Sequence, residues 1–369
     1  MLETQPRIAV YLRMLSGGGA ERVMVNLTSG FVERGVKVDL VLNIVEGPYL
    51  AQVPSEVRIV DLKDPRLLSG LPKLARYLRQ EQPVALLSAL HYNNEIAIWA
   101  KRLAGVSTRV VVSERNTLSI HARHQKDSER WSPILARLFY PWADGIVAVS
   151  HGVANDLSKV TGLSQSRIRV IYNPVNTSEV LKKAKEPVEH PWFAKGEPPV
   201  ILGLGRLNKQ KNFSTLIRAF SQVQQVQPCR LVIVGRGPER QKLNNLVREL
   251  GLEEDVTMVG FSDNPYAYMA QAKVFVLSSA WEGLPNVLIE AMVVGTPVIS
   301  TNCPSGPVEI LDNGKYGLLV PLGDIETMTK ALLGVLSGDS KSVVPAWLEQ
   351  FTLESATEQY LDVLGIAIQ

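Results

Sequence analysis

Twice along the chain, short β-branched and apolar runs alternate with amphipathic stretches, a pattern that admits little except parallel sheets joined by crossover helices. The first cycle runs through Ile8 to Leu12, a helix from about Ala20 to Arg34, Val38 to Leu42, Leu86 to Ser88, Arg109 to Ser113 and Gly145 to Ser150. A second cycle runs through Val200 to Leu204, Arg230 to Val234, Val256 to Val259, Val274 to Leu277 and Pro297 to Ser300. Between them the segment Val175 to Glu197 is rich in Lys, Glu and Pro, has no strand pattern and reads as a linker. At 369 residues the chain exceeds the size at which one core stops growing. The expected fold class is therefore α/β with two Rossmann-like domains, 1–175 and 176–345, followed by a helical tail at about 346–369.

Composition narrows the function classes. With 46% hydrophobic and 20% charged residues the chain has the balance of a globular protein, and no apolar run reaches the ~20 residues of a membrane span. The opening residues, Met1 to Pro6, lack a basic-then-apolar leader pattern, so a cytoplasmic protein is expected. Two cysteines, Cys229 and Cys303, are too few for a disulfide framework and read as buried or idle thiols. Residues 1–175 hold 22 Lys and Arg against 15 Asp and Glu, whereas 176–369 hold 17 against 21. A basic first half can lean on an anionic surface, and without interleaved aromatics or a nucleic-acid motif a membrane face is preferred to nucleic acid. Two stretches support peripheral contact: Pro65 to Gln80, with Arg66, Lys73, Arg76 and Arg79, and Arg123 to Trp142, with Trp131, Phe139, Tyr140 and Trp142.

The most informative segment is Trp281-Glu-Gly-Leu-Pro-Asn-Val-Leu-Ile-Glu290, followed by Ala291 to Gly295. A buried strand precedes it, and Pro285 suits a first helical position, leaving the amides of Asn286, Val287 and Leu288 as an anion site at the positive end of a helix. Glu290 lies a turn further on, within reach of a hydroxyl attached to that anion, and Glu282 sits in the loop opposite. A phosphate flanked by sugars fits these features. Two acids at this spacing alone would be ordinary solvated residues; Gly283, Pro285, Asn286 and the Gly295-Thr-Pro-Val298 run make the functional reading the stronger one.

This segment resembles the E-x7-E motif of the retaining glycosyltransferases of family 4, which have the two-Rossmann-domain GT-B architecture, a cleft between the domains and a terminal helix crossing back to the first. The resemblance implies that Glu290 holds the nucleotide ribose, that Gly283, Leu284, Pro285, Asn286, Val287 and Leu288 surround the diphosphate, and that Glu282 contacts the donor sugar. It also implies that Arg206 and Lys211, in Gly205-Arg-Leu-Asn-Lys-Gln-Lys211, neutralise the departing diphosphate, a task suited to a planar fork and a point charge. Lys209 reads as a solvated bystander. Gly237 and Phe261, at the ends of the next two strands, are expected to wall the base. Ser16-Gly-Gly-Gly-Ala-Glu21 resembles the family's first loop, placing Gly18 and Gly19 at the donor and Gly18 at the acceptor; the glycines are consecutive, unlike a dehydrogenase fingerprint. Many members of the family place an acceptor-side histidine after a strand of the first domain. Here the matching strand ends Ser113-Glu-Arg-Asn116 without it, and of His91, His121, His124, His151 and His190 it is His121, a few residues on, that is taken as the acceptor-side and catalytic candidate, beside Arg115 and Asn116.

The implied activity is metal-independent, retaining, cofactor-free sugar transfer from a nucleotide-diphosphate donor, a UDP-hexose or UDP-N-acetylhexosamine, to a lipid-linked or cell-surface glycan. The first domain would bind the acceptor and the second the donor. The variant Cys303-Pro-Ser-Gly306, standing where many members have Gly-Gly, fits the subgroup that builds lipid-linked and surface glycans. Alternatives are a same-fold epimerase or hydrolase of the sugar nucleotide and a non-catalytic sensor of it.

Overall fold

The computed structural model describes residues 6–124 and 128–367. Met1 to Gln5, and 125–127 within the basic and aromatic stretch, lie outside the described residues. The chain divides into two compact units, 1–175 with 350–369, and 176–349.

The first unit is built on strands β1 (Arg7–Leu12), β2 (Lys37–Leu42), β3 (Arg58–Asp61), β4 (Ala85–Ala89), β5 (Arg109–Glu114), β6 (Gly145–Ala148) and β7 (Ile168–Val170). They form one sheet in the order β3-β2-β1-β4-β5-β6-β7, and every pairing is parallel. Strands β1, β4 and β5 are buried almost end to end, as strands covered on both faces must be. The Gly19–Glu33 helix packs against the terminal Leu353–Leu364 helix, and at Gly30 an added Cβ would stand 2.2 Å from Thr357 Oγ1. Tyr360, fully buried on the terminal helix, lies 3.0 Å by its hydroxyl from Ser113 Oγ at the end of β5.

The second unit carries β8 (Val200–Leu204), β9 (Arg230–Val234), β10 (Val256–Gly260), β11 (Val274–Leu277), β12 (Val298–Thr301) and β13 (Leu318–Val320). Their order is β10-β9-β8-β11-β12-β13, again all parallel. Each unit is thus a doubly wound sheet, the architecture expected. In such sheets ligands bind outside the carboxyl ends of the strands, where the winding reverses: β1/β4 in the first unit and β8/β11 in the second.

Three strands went unpredicted. β3, β7 and β13 have three or four residues and half-exposed side chains, because they are edge strands with one neighbour each. The stretch read as a linker also differs: Thr177–Lys183 is a helix capped by the Asn176 side chain, which accepts from Glu179 N at 3.1 Å, and Val180 buries against the second unit. Its Lys and Glu occupy the solvent face of that helix, which is why composition alone looked structureless.

Candidate functional site

At β8/β11 in the second unit the strands enter two loops that share hydrogen bonds. The chain leaves β8 through Gly205 to Lys211 before the Phe213–Gln224 helix, and leaves β11 through Ser278 to Pro285 before the Asn286–Val293 helix. Ser278 donates to Lys211 O at 2.8 Å, Gln210 Nε2 to Trp281 O at 2.9 Å, and Ala280 N to Gln210 O at 2.7 Å. Lys211 Nζ meets Glu282 Oε1 at 2.6 Å, and Ser279 Oγ reaches the same oxygen at 2.6 Å. Glu282 is 6% exposed, so the pair sits in a poorly solvated pocket where each charge depends on the other. The ion pair and Ser279 were not anticipated from the sequence; the close run of β8 beside β11 brings the loops of Lys211 and Glu282 into contact. Arg206 is exposed, and so is Lys209, the expected bystander.

A third segment closes this pocket. Glu282 N donates to Pro304 O at 2.7 Å, Ser305 N returns a bond to Glu282 O at 3.1 Å, and Ser305 Oγ donates to Gly283 O at 3.2 Å. Gly306 adopts φ 96°, and a Cβ there would lie 2.7 Å from Gly283 O, so the Pro304-Ser-Gly turn requires its glycine. Cys303 is buried behind the pocket, and desolvation, reinforced by the Glu282 charge, pushes its thiol up to about 12.

The helix start needs two corrections. Pro285 is the capping residue with extended backbone rather than the first helical residue, and the helix begins at Asn286. Leu288 N is not available to an anion, because in the tight first turn it donates to Pro285 O at 3.0 Å. Glu290 lies one turn in, 5% exposed, with Tyr266 Oη at 3.5 Å from Oε1. Leu284 and Gly283 are buried beneath the loop. Gly237 answers to packing, since a Cβ would sit 2.3 Å from Leu207 O, while Phe261 is 43% exposed at the end of β10.

In the first unit Gly18 caps the Gly19–Glu33 helix and Gly19 opens it. Glu21, 9% exposed in its first turn, accepts from Ser16 Oγ at 2.6 Å, and Tyr49 Oη donates to Gly17 O at 3.2 Å, pinning the glycine loop from both sides. Arg115 is 8% exposed, its Nη1 donates to Asn173 Oδ1 at 2.7 Å and its Nη2 lies 3.0 Å from Met24 Sδ. The strand end simply turns this side chain inward. Asn116 Oδ1 accepts from Thr117 N at 3.0 Å, and the half-buried His121 ring lies 5.8 Å from that of His91.

Sequence reading missed the acidic network behind these residues. Glu114, at the end of β5, accepts from Tyr140 Oη at 2.8 Å and from Arg115 N at 3.1 Å; Asn94 Nδ2 donates to Tyr140 Oη at 3.0 Å. Burial pushes the Glu114 carboxyl up to about 7 and, with help from the Glu114 charge, that of Glu95 up to about 8. Both acids are thus held protonated in the folded chain at pH values where they ionise in the unfolded one, so their contribution to stability is full below about pH 4.5 and is lost as pH rises through 7 to 8. The melting temperature is expected to fall between pH 5 and 8, and Glu95→Gln to make the fall shallower by about one proton's worth, ~1.4 kcal/mol per pH unit. Equal slopes for the two proteins in calorimetry would refute the assignment.

Among the described residues no cluster of His, Cys, Asp and Glu has the arrangement of a metal site, and no helix is long and apolar enough to cross a membrane.

With this geometry in place, the relatives of the chain define its class. Residues 17–179 match the model described as Glycosyltransferase Family 4, and residues 185–344 the one described as Glycosyl transferases group 1. An N-acetylgalactosamine-N,N'-diacetylbacillosaminyl-diphospho-undecaprenol 4-alpha-N-acetylgalactosaminyltransferase of Campylobacter jejuni is 32% identical over 90% of this chain and 91% of its own length. Two solved structures share the fold. The lipopolysaccharide outer core galactosyltransferase WaaB superposes with a TM-score of 0.73 at 24% identity, covering 97% of this chain and 99% of that one. The Anabaena protein HepE, in complex with UDP, gives 0.76 at 18%, covering 98% and 100%. The chain belongs to the glycosyltransferases of GT-B architecture.

Proposed function

We propose that the chain moves a hexose or N-acetylhexosamine from a UDP-sugar to a lipid-linked or cell-surface glycan, with retention at the anomeric carbon and without a metal ion. The observation that carries this reading is the buried Lys211–Glu282 pair at the β8/β11 switch, next to the start of the Asn286–Val293 helix. Support for the acceptor comes from the undecaprenol-diphosphate glycan in the name of the Campylobacter jejuni relative, and for the donor base from the UDP bound to the Anabaena neighbour.

In this reading the second unit binds the donor and the first the acceptor. Arg206, Lys211 and the amides of Asn286 and Val287 stabilise the charge that grows on the departing diphosphate. Glu290 accepts from a ribose hydroxyl. Glu282, whose pairing orients Lys211, faces the donor sugar. The acceptor hydroxyl attacks from the side the diphosphate leaves, and a phosphate oxygen takes its proton, so no carboxylate nucleophile is required. His121, with Asn116 and the Gly18-Gly19 loop, lies on the acceptor side; Arg115 supports that side from within.

The test is transfer and thermal shift across UDP-, GDP- and ADP-sugars with an undecaprenol-diphosphate glycan acceptor. UDP-sugars are expected to stabilise the chain and transfer. Turnover of donor equally fast without acceptor would favour a hydrolase or epimerase. Because fixed cations and amides meet the diphosphate, activity is expected to survive excess EDTA; its abolition, with recovery on adding Mg²⁺ or Mn²⁺, would contradict the metal-free mechanism.

A further inference from the structure

The Ser132–Phe139 helix and the turn after it turn Ser132, Ala136 and Tyr140 toward the core. On the other side Trp131, Ile134, Leu138 and Trp142 recur every three or four residues, one helical face, and are 49%, 50%, 55% and 41% exposed. The neighbouring His91–Ala104 helix adds Trp99 and Leu103, 41% and 49% exposed. These are six of the fourteen large apolar side chains exposed among the described residues, gathered on two helices. The rings of Trp99, Phe139 and Trp142 lie within 5.3 to 6.1 Å of one another, so the aromatic surface is continuous from helix to helix.

Exposed arginines border this surface. Arg102 stacks 3.9 Å over the Trp142 ring, Arg130 lies 5.2 Å from the Trp131 ring, and Arg137 and Arg123 are exposed on the same segment. A guanidinium stacked on an indole keeps its in-plane donors for a second partner such as phosphate. The basic stretch Pro65 to Gln80 contributes less: in the Leu67–Glu81 helix Arg79 is spent on Ala104 O at 3.0 Å and Lys73 on Lys63 O at 2.9 Å.

We propose that this aromatic and arginine face docks the chain on the surface of an anionic lipid bilayer, tryptophans at the boundary and arginines on the phosphates. Tryptophan has the required form, an apolar body with one polar edge, and half-exposed leucine and isoleucine between the rings reach the acyl layer. A second copy of the chain fits worse, because a two-fold contact would set the same arginines against each other. The inference rests on the lipid-linked acceptor of the proposed function for its purpose, and on the patch alone for its geometry.

The experiment is co-sedimentation of the full chain with vesicles, without donor or acceptor, so that an error in the assigned substrates leaves the result unchanged. The chain is expected to bind phosphatidylglycerol–phosphatidylcholine vesicles and scarcely to bind phosphatidylcholine alone. Trp131→Ser with Leu138→Ser, and separately Arg130→Glu with Arg137→Glu, should each lower partition about tenfold. Salt at about 0.5 M should remove most of the arginine contribution. All four side chains are exposed, and an unchanged melting curve and UDP-sugar thermal shift will confirm that folding and donor binding are intact. Wild-type partition in both variants, no binding to anionic vesicles, or a concentration-dependent dimer abolished by the same substitutions would overturn the proposal.

Discussion

Arg206→Ala is expected to lower kcat by about 100-fold or more while leaving the melting temperature near that of the wild type, because the side chain is exposed and its loss removes one preorganised stabilising group. Lys211→Ala should match that loss and add a second one. Its ammonium is the partner of Glu282, whose carboxylate would be left in a pocket only 6% exposed, and breaking such a pair costs about 3 kcal/mol. A Lys211→Met, Glu282→Gln double variant separates the effects: stability should largely return and turnover should not. Wild-type turnover in Arg206→Ala would remove the diphosphate role assigned to it. Turnover restored in the double variant would show that the pair serves the fold alone.

Gly235→Ala should be the most damaging single methyl group in the second unit. Gly235 has φ 150° at the end of β9, and its Cβ would stand 1.9 Å from Gly205 O. Neither side can yield, since Gly235 N donates to Gly260 O at 2.6 Å and Gly205 N to Val234 O at 3.0 Å, tying the ends of β8, β9 and β10 together. Strain and overpacking together imply about 3 kcal/mol and a melting temperature lower by about 6–12 °C. Activity should fall with it, because the displaced strand end carries Arg206. Gly334→Ala is the control: it lies inside the Ile325–Leu336 helix with its nearest neighbour 3.9 Å away, and should stabilise by up to ~1 kcal/mol. Equal melting temperatures for the two variants would contradict the packing argument.

The doubly wound sheets were legible because a strand covered on both faces must be apolar along its length, and β1, β4, β8 and β11 each announce themselves that way. Edge strands such as β3 carry no comparable pattern, and the Thr177–Lys183 helix buries too few residues to mark itself. In the second unit the sequence pointed to the loops after β8 and β11, since glycine, proline and the acids stand at positions only turn and cap chemistry explain. It did not reveal the Lys211–Glu282 pair, which depends on two loops 71 residues apart in sequence that leave adjacent strands. Nor did it separate Arg115, turned inward to Asn173, from Arg206, turned outward; nothing local distinguishes an arginine at one strand end from an arginine at another. The Glu95–Glu114–Tyr140 network was invisible for the same reason, its members coming from two helical segments and a strand.

The terminal Leu353–Leu364 helix has a consequence for how the chain is made. It supplies Tyr360 and Leu361 to the core of the first unit, and Arg109 Nε donates to Val363 O at 2.7 Å. The first unit is therefore assembled from residues 1–175 and 350–369, with the second unit spliced into its covalent path. During synthesis residues 176–349 are complete, and free to fold, before the first unit has all its parts. The amino-terminal sheet must wait, with the hollow for Tyr360 open, until the Leu353–Leu364 helix leaves the ribosome. A chain released between residues 349 and 353 would then spare the inserted unit and leave the outer one unsealed.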